Sequence, residues 1–153
     1  KSTLINQISG RKGAKAENRP GVTRGKQWVT VNPGLLLLDT PGILWPKFDD
    51  PQVGMMLAYT GAVKENILDA EELAAFLMEL LWKRYPDTVR QRYKVDMPAD
   101  TPGYRLLEEA GRKRGFLLAR GEIDTERIAK VLLDEYRSGK LGRITFEEME
   151  DVQ

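Results

Sequence analysis

At 153 residues the chain suits one domain or two small ones, and its 41% apolar and 31% charged residues are ordinary for a globular protein. It contains no Cys and no His, which excludes a disulfide framework, a thiolate zinc site and the usual imidazole general base, and no apolar run approaches the roughly 20 residues of a membrane span. The net charge of +1 is unevenly spread: residues 1–48 carry eight Lys or Arg against two acids, a net of +6, and the remainder carries a net of −5.

A basic segment of this kind suits a nearby polyanion; the alternative is a set of charges that only solvate a loop. The chain opens on Lys1-Ser2-Thr3 with no initiator Met, so it is expected to begin inside a motif, as a truncated or partly observed chain. Lys-Ser-Thr is how a phosphate loop ends. Leu4 to Ile8 continues it into a helix with Leu4, Ile5 and Ile8 on one side, and Ser9-Gly10 ends that helix. Residues 11–26 are rich in Gly, Lys and Arg, with Pro20-Gly21 as a turn signal, and read as a surface loop that is poorly ordered without a γ-phosphate. Gln27 to Val31 alternates, with Trp28 and Thr30 out of step with Val29 and Val31, and predicts a strand. Asn32-Pro33-Gly34 is a hairpin turn. Leu35–Leu38 is the return strand, expected to be interior and covered on both faces, with Asp39 at its carboxyl end, where α/β folds place ligands.

A helical region follows. Asp69 with Glu72 predicts an acidic capping box; Leu73, Phe76, Leu77, Leu80 and Leu81 have helical spacing, and Pro86 marks the stop. Thr101-Pro102 is expected to cap a second helix, with Pro102 at its first position, that carries Tyr104, Leu107 and Ala110 into Arg112-Lys113-Arg114-Gly115. Asp124 caps a third, with Ile128, Val131, Leu132 and Tyr136 inward and Gly139 just past its end. The pattern predicts an α/β unit over residues 1–66 and an all-α unit over 67–153.

The motifs carry a definite chemistry. At a phosphate loop, backbone N–H groups cradle the phosphates, the Lys (Lys1) reaches the β- and γ-oxygens, and the next hydroxyl (Ser2) binds Mg²⁺, with Thr3 beside them. Asp39 ends a run of four leucines, where an uncompensated carboxylate would cost several kcal/mol; a Mg²⁺ reached through water would compensate it. In Asp39-Thr40-Pro41-Gly42, the Gly42 N–H can approach a γ-phosphate because no Cβ intervenes. The plainer reading is a strand-to-turn junction. Thr23, inside Arg19-Pro20-Gly21-Val22-Thr23, can complete Mg²⁺ coordination when the γ-phosphate is present. Ile43 stands where many hydrolytic switches place a water-orienting Gln, so hydrolysis needs a group from elsewhere. No Asn-Lys-x-Asp base-recognition motif follows Gly42; Lys94-Val95-Asp96 comes nearest, but Tyr93 replaces the Asn. Either the protein is not a GTPase or its base-binding half precedes residue 1.

Lys1-Ser2-Thr3-Leu4-Ile5-Asn6, Arg19-Pro20-Gly21-Val22-Thr23, and Leu37 through Asp39-Thr40-Pro41-Gly42-Ile43-Leu44-Trp45-Pro46-Lys47-Phe48 resemble the circularly permuted GTPases of the RbgA/YlqF type, bacterial factors in large ribosomal subunit assembly. Leu57-Ala58, Gly61-Ala62-Val63-Lys64 and Gly142-Arg143-Ile144-Thr145-Phe146-Glu147 extend the resemblance over nearly the whole chain. The resemblance implies a P-loop GTPase fragment, permuted and lacking its N-terminal half, followed by an all-α domain. It implies GTP/GDP and Mg²⁺ as cofactors, nucleotide contacts by Lys1, Ser2, Thr3, Thr23, Pro41 and Gly42, metal contacts by Ser2, Thr23 and Asp39, and a catalytic His from the missing front half. It further implies a cytoplasmic factor, without a membrane partner and monomeric off the ribosome, whose helical domain contacts the rRNA of the large-subunit precursor. The cations available for that contact are Arg112, Lys113, Arg114, Arg127, Lys130, Arg137, Lys140 and Arg143; the alternative is a solvated helix face. Two rivals stand beside this reading: a helical RNA-binding module on a non-hydrolysing nucleotide fold, and a signalling GTPase with a protein effector.

Overall fold

A computed structural model of the chain describes residues 2–10, 26–39, 50–62 and 69–146. The N-terminal elements are a helix and a β-ribbon. Helix α1 (Ser2–Ser9) ends at Gly10, whose φ of 63° is the left-handed conformation expected of a residue just past a helix. Strands β1 (Gln27–Asn32) and β2 (Leu35–Asp39) pair antiparallel, with Trp28 opposite Leu38, Val29 opposite Leu37 and Thr30 opposite Leu36, and a register irregularity between Thr30 and Asn32 beside the predicted turn. The period of two sorts the side chains. Val29 and Leu37 turn inward onto Ile5 of α1, and Asp39 lies on that same face. Trp28 and Leu36 turn outward and are 67% and 57% exposed, with Leu38 exposed beside them.

Two expectations need correction here. Leu35–Leu38 is not covered on both faces among the described residues: α1 lies against one side of a two-stranded ribbon, alternation turns Leu36 and Leu38 away from it, and Leu35, beside the turn, is exposed as well. For the same reason Ile5 alone of the predicted apolar side of α1 is buried, while Leu4 and Ile8 are exposed.

The remaining helices share one core. They are α2 (Pro51–Tyr59), α3 (Ala70–Arg84), α4 (Pro86–Tyr93), α5 (Gly103–Lys113) and α6 (Thr125–Arg137). Helix α3 is the hub and packs against the other four. Its buried face is Leu73, Ala74, Leu77, Met78, Leu81 and Trp82, so the stripe is rotated from the expected one and Phe76 is exposed. Asp69 caps α3 as expected, but its carboxylate accepts from the Glu71 N–H at 3.0 Å. Trp82 buries its ring and donates from Nε1 to the Pro98 carbonyl at 3.0 Å, which satisfies its polar end.

Pro86 stops α3 and also starts α4, because a proline at a first helical position loses no hydrogen bond. Helix α4 ends on Lys94 in the left-handed conformation, with φ of 59°, so Lys94-Val95-Asp96 follows a helix and has no strand before it. Helix α5 begins one residue later than expected: Pro102 is its N-cap, and the Gly103 N–H donates to the Glu79 carboxylate of α3 at 3.2 Å. A Cβ on Gly103 would stand 2.0 Å from the Ala75 carbonyl oxygen, so α3 and α5 touch backbone to backbone there. Asp124 caps α6 by accepting from the Arg127 N–H at 3.0 Å, and Gly139 ends it with φ of 72°. The expected boundary at 66/67 lies outside the described residues, but α2 precedes it and places Ala58 and Tyr59 in the helical core.

Candidate functional site

The first constellation forms where α1 begins and β2 ends. Ser2 is the first residue of α1 and Asp39 the last of β2. The Ser2 hydroxyl donates to Asp39 Oδ2 at 2.8 Å, across 37 positions of sequence. Asp39 is only 1% exposed, held on the inner face of the ribbon beyond Val29 and Leu37. A helix N-terminus thus meets a buried carboxylate at a strand's carboxyl end. The exposed N–H groups of a helix start favour anions such as phosphate, and the carboxylate favours a cation. A hydroxyl and a carboxylate are hard oxygen donors, the set that suits Mg²⁺ rather than a thiophilic metal. Two of the three expected metal-contacting residues are therefore together, and Thr3 lies exposed beside Ser2. Lys1, Thr23, Pro41, Gly42 and Ile43 lie outside the described residues, as does the predicted loop apart from Lys26.

The second constellation is ionic and belongs to the helical unit. Glu135, on α6, is 5% exposed. Arg92 donates to it through Nη2 at 2.6 Å and Nε at 3.1 Å, Arg114 through Nη1 at 3.1 Å, and the buried Tyr93 hydroxyl at 2.8 Å. Burial alone would raise the Glu135 carboxyl; the hydrogen bonds from Arg92, Tyr93 and Arg114 outweigh it and hold the carboxyl at about 2. Burial, then the bond to Glu135, pushes the Tyr93 hydroxyl well above its ordinary range. Reading the sequence misses this cluster. The available signal is a carboxylate on the apolar stripe of α6, at helical spacing from Ile128 and Leu132.

The cluster redistributes the predicted RNA-facing cations. Arg114 is spent inside the fold: its side chain is 23% exposed, it pairs with Glu135, and it lies 4.7 Å over the Tyr93 ring. Arg137 donates to the Ala58 and Tyr59 carbonyls at 2.9 and 3.0 Å. Arg127 covers the Phe116 ring at 4.3 Å. Arg112 and Lys113 pair with Glu109, Lys130 with Glu126 and Lys140 with Asp134, all through well-exposed cation side chains. Such exposed pairs are worth little and leave the cation open to a stronger anion. Arg143 is exposed.

A family model described as 50S ribosome-binding GTPase matches residues 1–91. Proteins named ribosome biogenesis GTPase A are similar along almost the whole chain: that of Bacillus cereus is 43% identical over 152 residues, which is 99% of this chain and 51% of the relative. That of Thermotoga maritima is 28% identical over 152 residues, 99% of this chain and 53% of the relative. Among solved structures, GDP-bound TM YlqF aligns with a TM-score of 0.60 at 26% identity, over 99% of this chain and 56% of that one. GNP-bound YlqF from T. maritima aligns with a TM-score of 0.57 at 25% identity, over 97% of this chain and 54% of that one. The chain spans about half the length of the curated relatives it matches. With the family model covering more than half of its residues, the chain belongs to the 50S ribosome-binding GTPase family.

Proposed function

We propose that this chain carries the phosphate- and Mg²⁺-contacting half of a circularly permuted GTPase that hydrolyses GTP to GDP and phosphate during assembly of the large ribosomal subunit. The observation that carries the reading is the 2.8 Å Ser2–Asp39 contact between a helix start and a strand end. The relatives' name, ribosome biogenesis GTPase A, and the guanine-nucleotide complexes of the structural relatives support the substrate and the process. Ser2 supplies a hydroxyl to the metal, and Asp39 holds that hydroxyl and balances the cation's charge through water. Lys1 and the N–H groups at the start of α1 take the phosphate oxygens, with Thr3, Pro41 and Gly42 completing the cradle and Thr23 joining the metal shell when a γ-phosphate is present. A Mg²⁺ held by Ser2 and, through water, by Asp39 would supply positive charge to offset that of the phosphates. Base recognition and the group that activates water come from the part of the permuted fold that precedes the phosphate loop, since this chain has no His and Ile43 cannot orient water.

The helical unit docks on the rRNA of the subunit precursor through its exposed cations, Arg112, Lys113, Lys130, Lys140 and Arg143, with Arg127 at the edge of that surface. Off the ribosome the factor is a cytoplasmic monomer. Among the described residues no helix is long and apolar enough to cross a membrane.

The test uses the full-length protein. Ser2→Ala should weaken Mg²⁺-dependent GTP and GDP binding by at least about tenfold, about 1.4 kcal/mol, while nucleotide binding without Mg²⁺ stays unchanged. GTP turnover should rise when large-subunit precursors are added. Nucleotide binding with no turnover under either condition would favour the non-hydrolysing rival. Turnover indifferent to ribosomal particles would remove the assembly reading.

A further inference from the structure

The C-terminal ends of α4 and α5 meet over one buried carboxylate, and the cations gathered there exceed what it neutralises. Glu135 holds both Arg92 and Arg114. One guanidinium balances its charge, so the second leaves a positive charge uncompensated. The pair is also fixed in orientation. Arg114 lies over the Tyr93 ring, and its Nη2 donates to the main-chain carbonyl of Arg92 at 3.3 Å. Arg92 gives Nε and Nη2 to Glu135, and its Nη1 remains, on a side chain 41% exposed. Lys140 reaches the same place from the end of α6. Its backbone N–H donates to the Glu135 carbonyl at 3.0 Å, and its ammonium pairs loosely with the exposed Asp134 at 3.7 Å.

A second, independent feature stands two residues past Arg92. Lys94 closes α4 with φ of 59° and ψ of 27°, and among the described residues it is the only one other than glycine with a positive φ. Gly10 and Gly139 do the same work at the ends of α1 and α6. Gly or Asn enters this conformation with less strain than Lys. Ending the helix explains the backbone of residue 94 but not its side chain. That side chain is exposed, and among the described residues no acid pairs with its ammonium. The nearby acids are engaged elsewhere: Arg90 holds Asp87 at 3.2 Å and Asp96 at 3.5 Å. A strained residue with an unused charge points to a role outside the fold.

We propose that the end of α4 is a binding site for an RNA backbone phosphate, with Arg92 and Lys94 as its contacts and Glu135 as the residue that positions Arg92. This rests on the RNA reading above and adds α4 to a surface that there includes only cations of α5, α6 and the segment after α6. The site is continuous with that surface, since Lys113 precedes Arg114 and Lys140 adjoins Glu135. The chemistry is a division of one guanidinium between two anions. The Nε and Nη2 side of Arg92 is held by Glu135, and the Nη1 side offers a charge-assisted hydrogen bond to a phosphate oxygen. Because Glu135 already orders the side chain, binding loses less rotamer entropy than it would with an unpaired surface Arg. Lys94 adds a point charge that needs no set geometry. Contacts of this kind fix the position of the RNA and read no base.

The test is binding of the full-length protein to large-subunit rRNA across a salt titration, with thermal unfolding of each variant alongside. Lys94→Asn removes the charge and keeps a residue that accepts the left-handed backbone. It should flatten the dependence of log affinity on log salt by about 0.7 to 0.9 of a unit. At 0.15 M salt that slope, taken from 1 M, is a loss of about four- to fivefold in affinity. The melting temperature should stay the same or rise, because the strain is relieved. Lys94→Arg should keep the wild-type slope. Arg92→Gln should flatten the slope by a similar amount and also lower the melting temperature, since Glu135 loses a charged donor. A merely structural Arg92 would move the melting temperature and leave the slope alone. An unchanged slope in either Lys94→Asn or Arg92→Gln, whatever the melting temperature, overturns the site and leaves the RNA reading to the other cations. If the wild-type protein shows no salt-dependent binding to the rRNA, the RNA reading itself falls, and this site with it.

Discussion

Replacing Glu135 by Gln should be among the most costly isosteric changes in the helical unit. The substitution keeps the volume and one carbonyl acceptor but removes the charge on which Arg92, Arg114 and Tyr93 converge. The magnitude follows from the carboxyl's acidity. A fall from the ordinary 4.5 to about 2 corresponds to roughly 3 kcal/mol of stability at neutral pH. The Arg92 side chain is 41% exposed, and solvent screening there brings the expected loss to about 2–3 kcal/mol. For a chain of this size that lowers the melting temperature by about 4–12 °C. The pH dependence has a definite sign. The folded carboxyl is more acidic than the unfolded one, so its contribution is complete above about 4.5 and disappears as pH falls through about 2. The gap between wild type and Glu135→Gln, measured by denaturant unfolding followed by circular dichroism, should be constant from about pH 5 to 8 and close between about pH 4.5 and 2. A gap below about 0.5 kcal/mol at neutral pH, or one that does not narrow in acid, would show that Glu135 gains nothing net from its three donors.

Tyr93→Phe removes one of those donors and leaves the ring in place; it should cost about 1.5–3 kcal/mol and shift the acid limb of the stability curve upward, and an unchanged acid limb would contradict the hydrogen bond. Gly103→Ala should destabilise by at least about 1–3 kcal/mol in thermal unfolding, because the new Cβ would stand 2.0 Å from backbone; a neutral result would mean α3 and α5 are not in backbone contact. Reversing charge at Lys113, Lys140 and Arg143 together should weaken binding to the large-subunit precursor and flatten its salt dependence, by close to one unit of slope for each phosphate no longer neutralised, with the melting temperature held within about 2 °C. Arg114→Glu should instead lower stability first, since it places a second carboxylate against Glu135. If the triple reversal melts the protein and leaves the salt slope alone, these cations serve the fold rather than the RNA.

Local signals are dependable where one residue acts on its own backbone. Gly10 and Gly139 end helices because only glycine enters the left-handed region without strain, and Asp69 and Asp124 cap helices because a short carboxylate reaches the free N–H groups of the next turn. Alternation in Gln27–Val31 separates Val29 from Trp28, since a strand's faces follow from its period. The same signals mislead where one residue has two local meanings: Pro86 both stops α3 and opens α4, and Pro102 caps α5 instead of entering it.

The meeting of Ser2 and Asp39 is foreshadowed by residue type and order, because a hydroxyl at a helix start and an acid at a strand end are both hard oxygen donors, and the chemistry proposed for them resides in the residues themselves. Which surfaces are covered is not legible. Four leucines in a row say only that the strand is apolar; the placement of α1 on one side decides that Leu37 is packed while Leu36 is exposed. Partnership across distance is not legible either. Arg114 and Arg137 look the same as Arg112 and Arg143 in sequence, yet a carboxylate 21 positions away claims the first and carbonyls 78 and 79 positions away claim the second. The order of residues thus tells which of them could bind phosphate, bind metal or cap a helix, because those properties reside in single side chains and their immediate backbone. Folding in three dimensions sorts the charges free to meet a partner from those that hold the protein together, because a salt bridge depends on two groups whose meeting is set by the packing of everything between them.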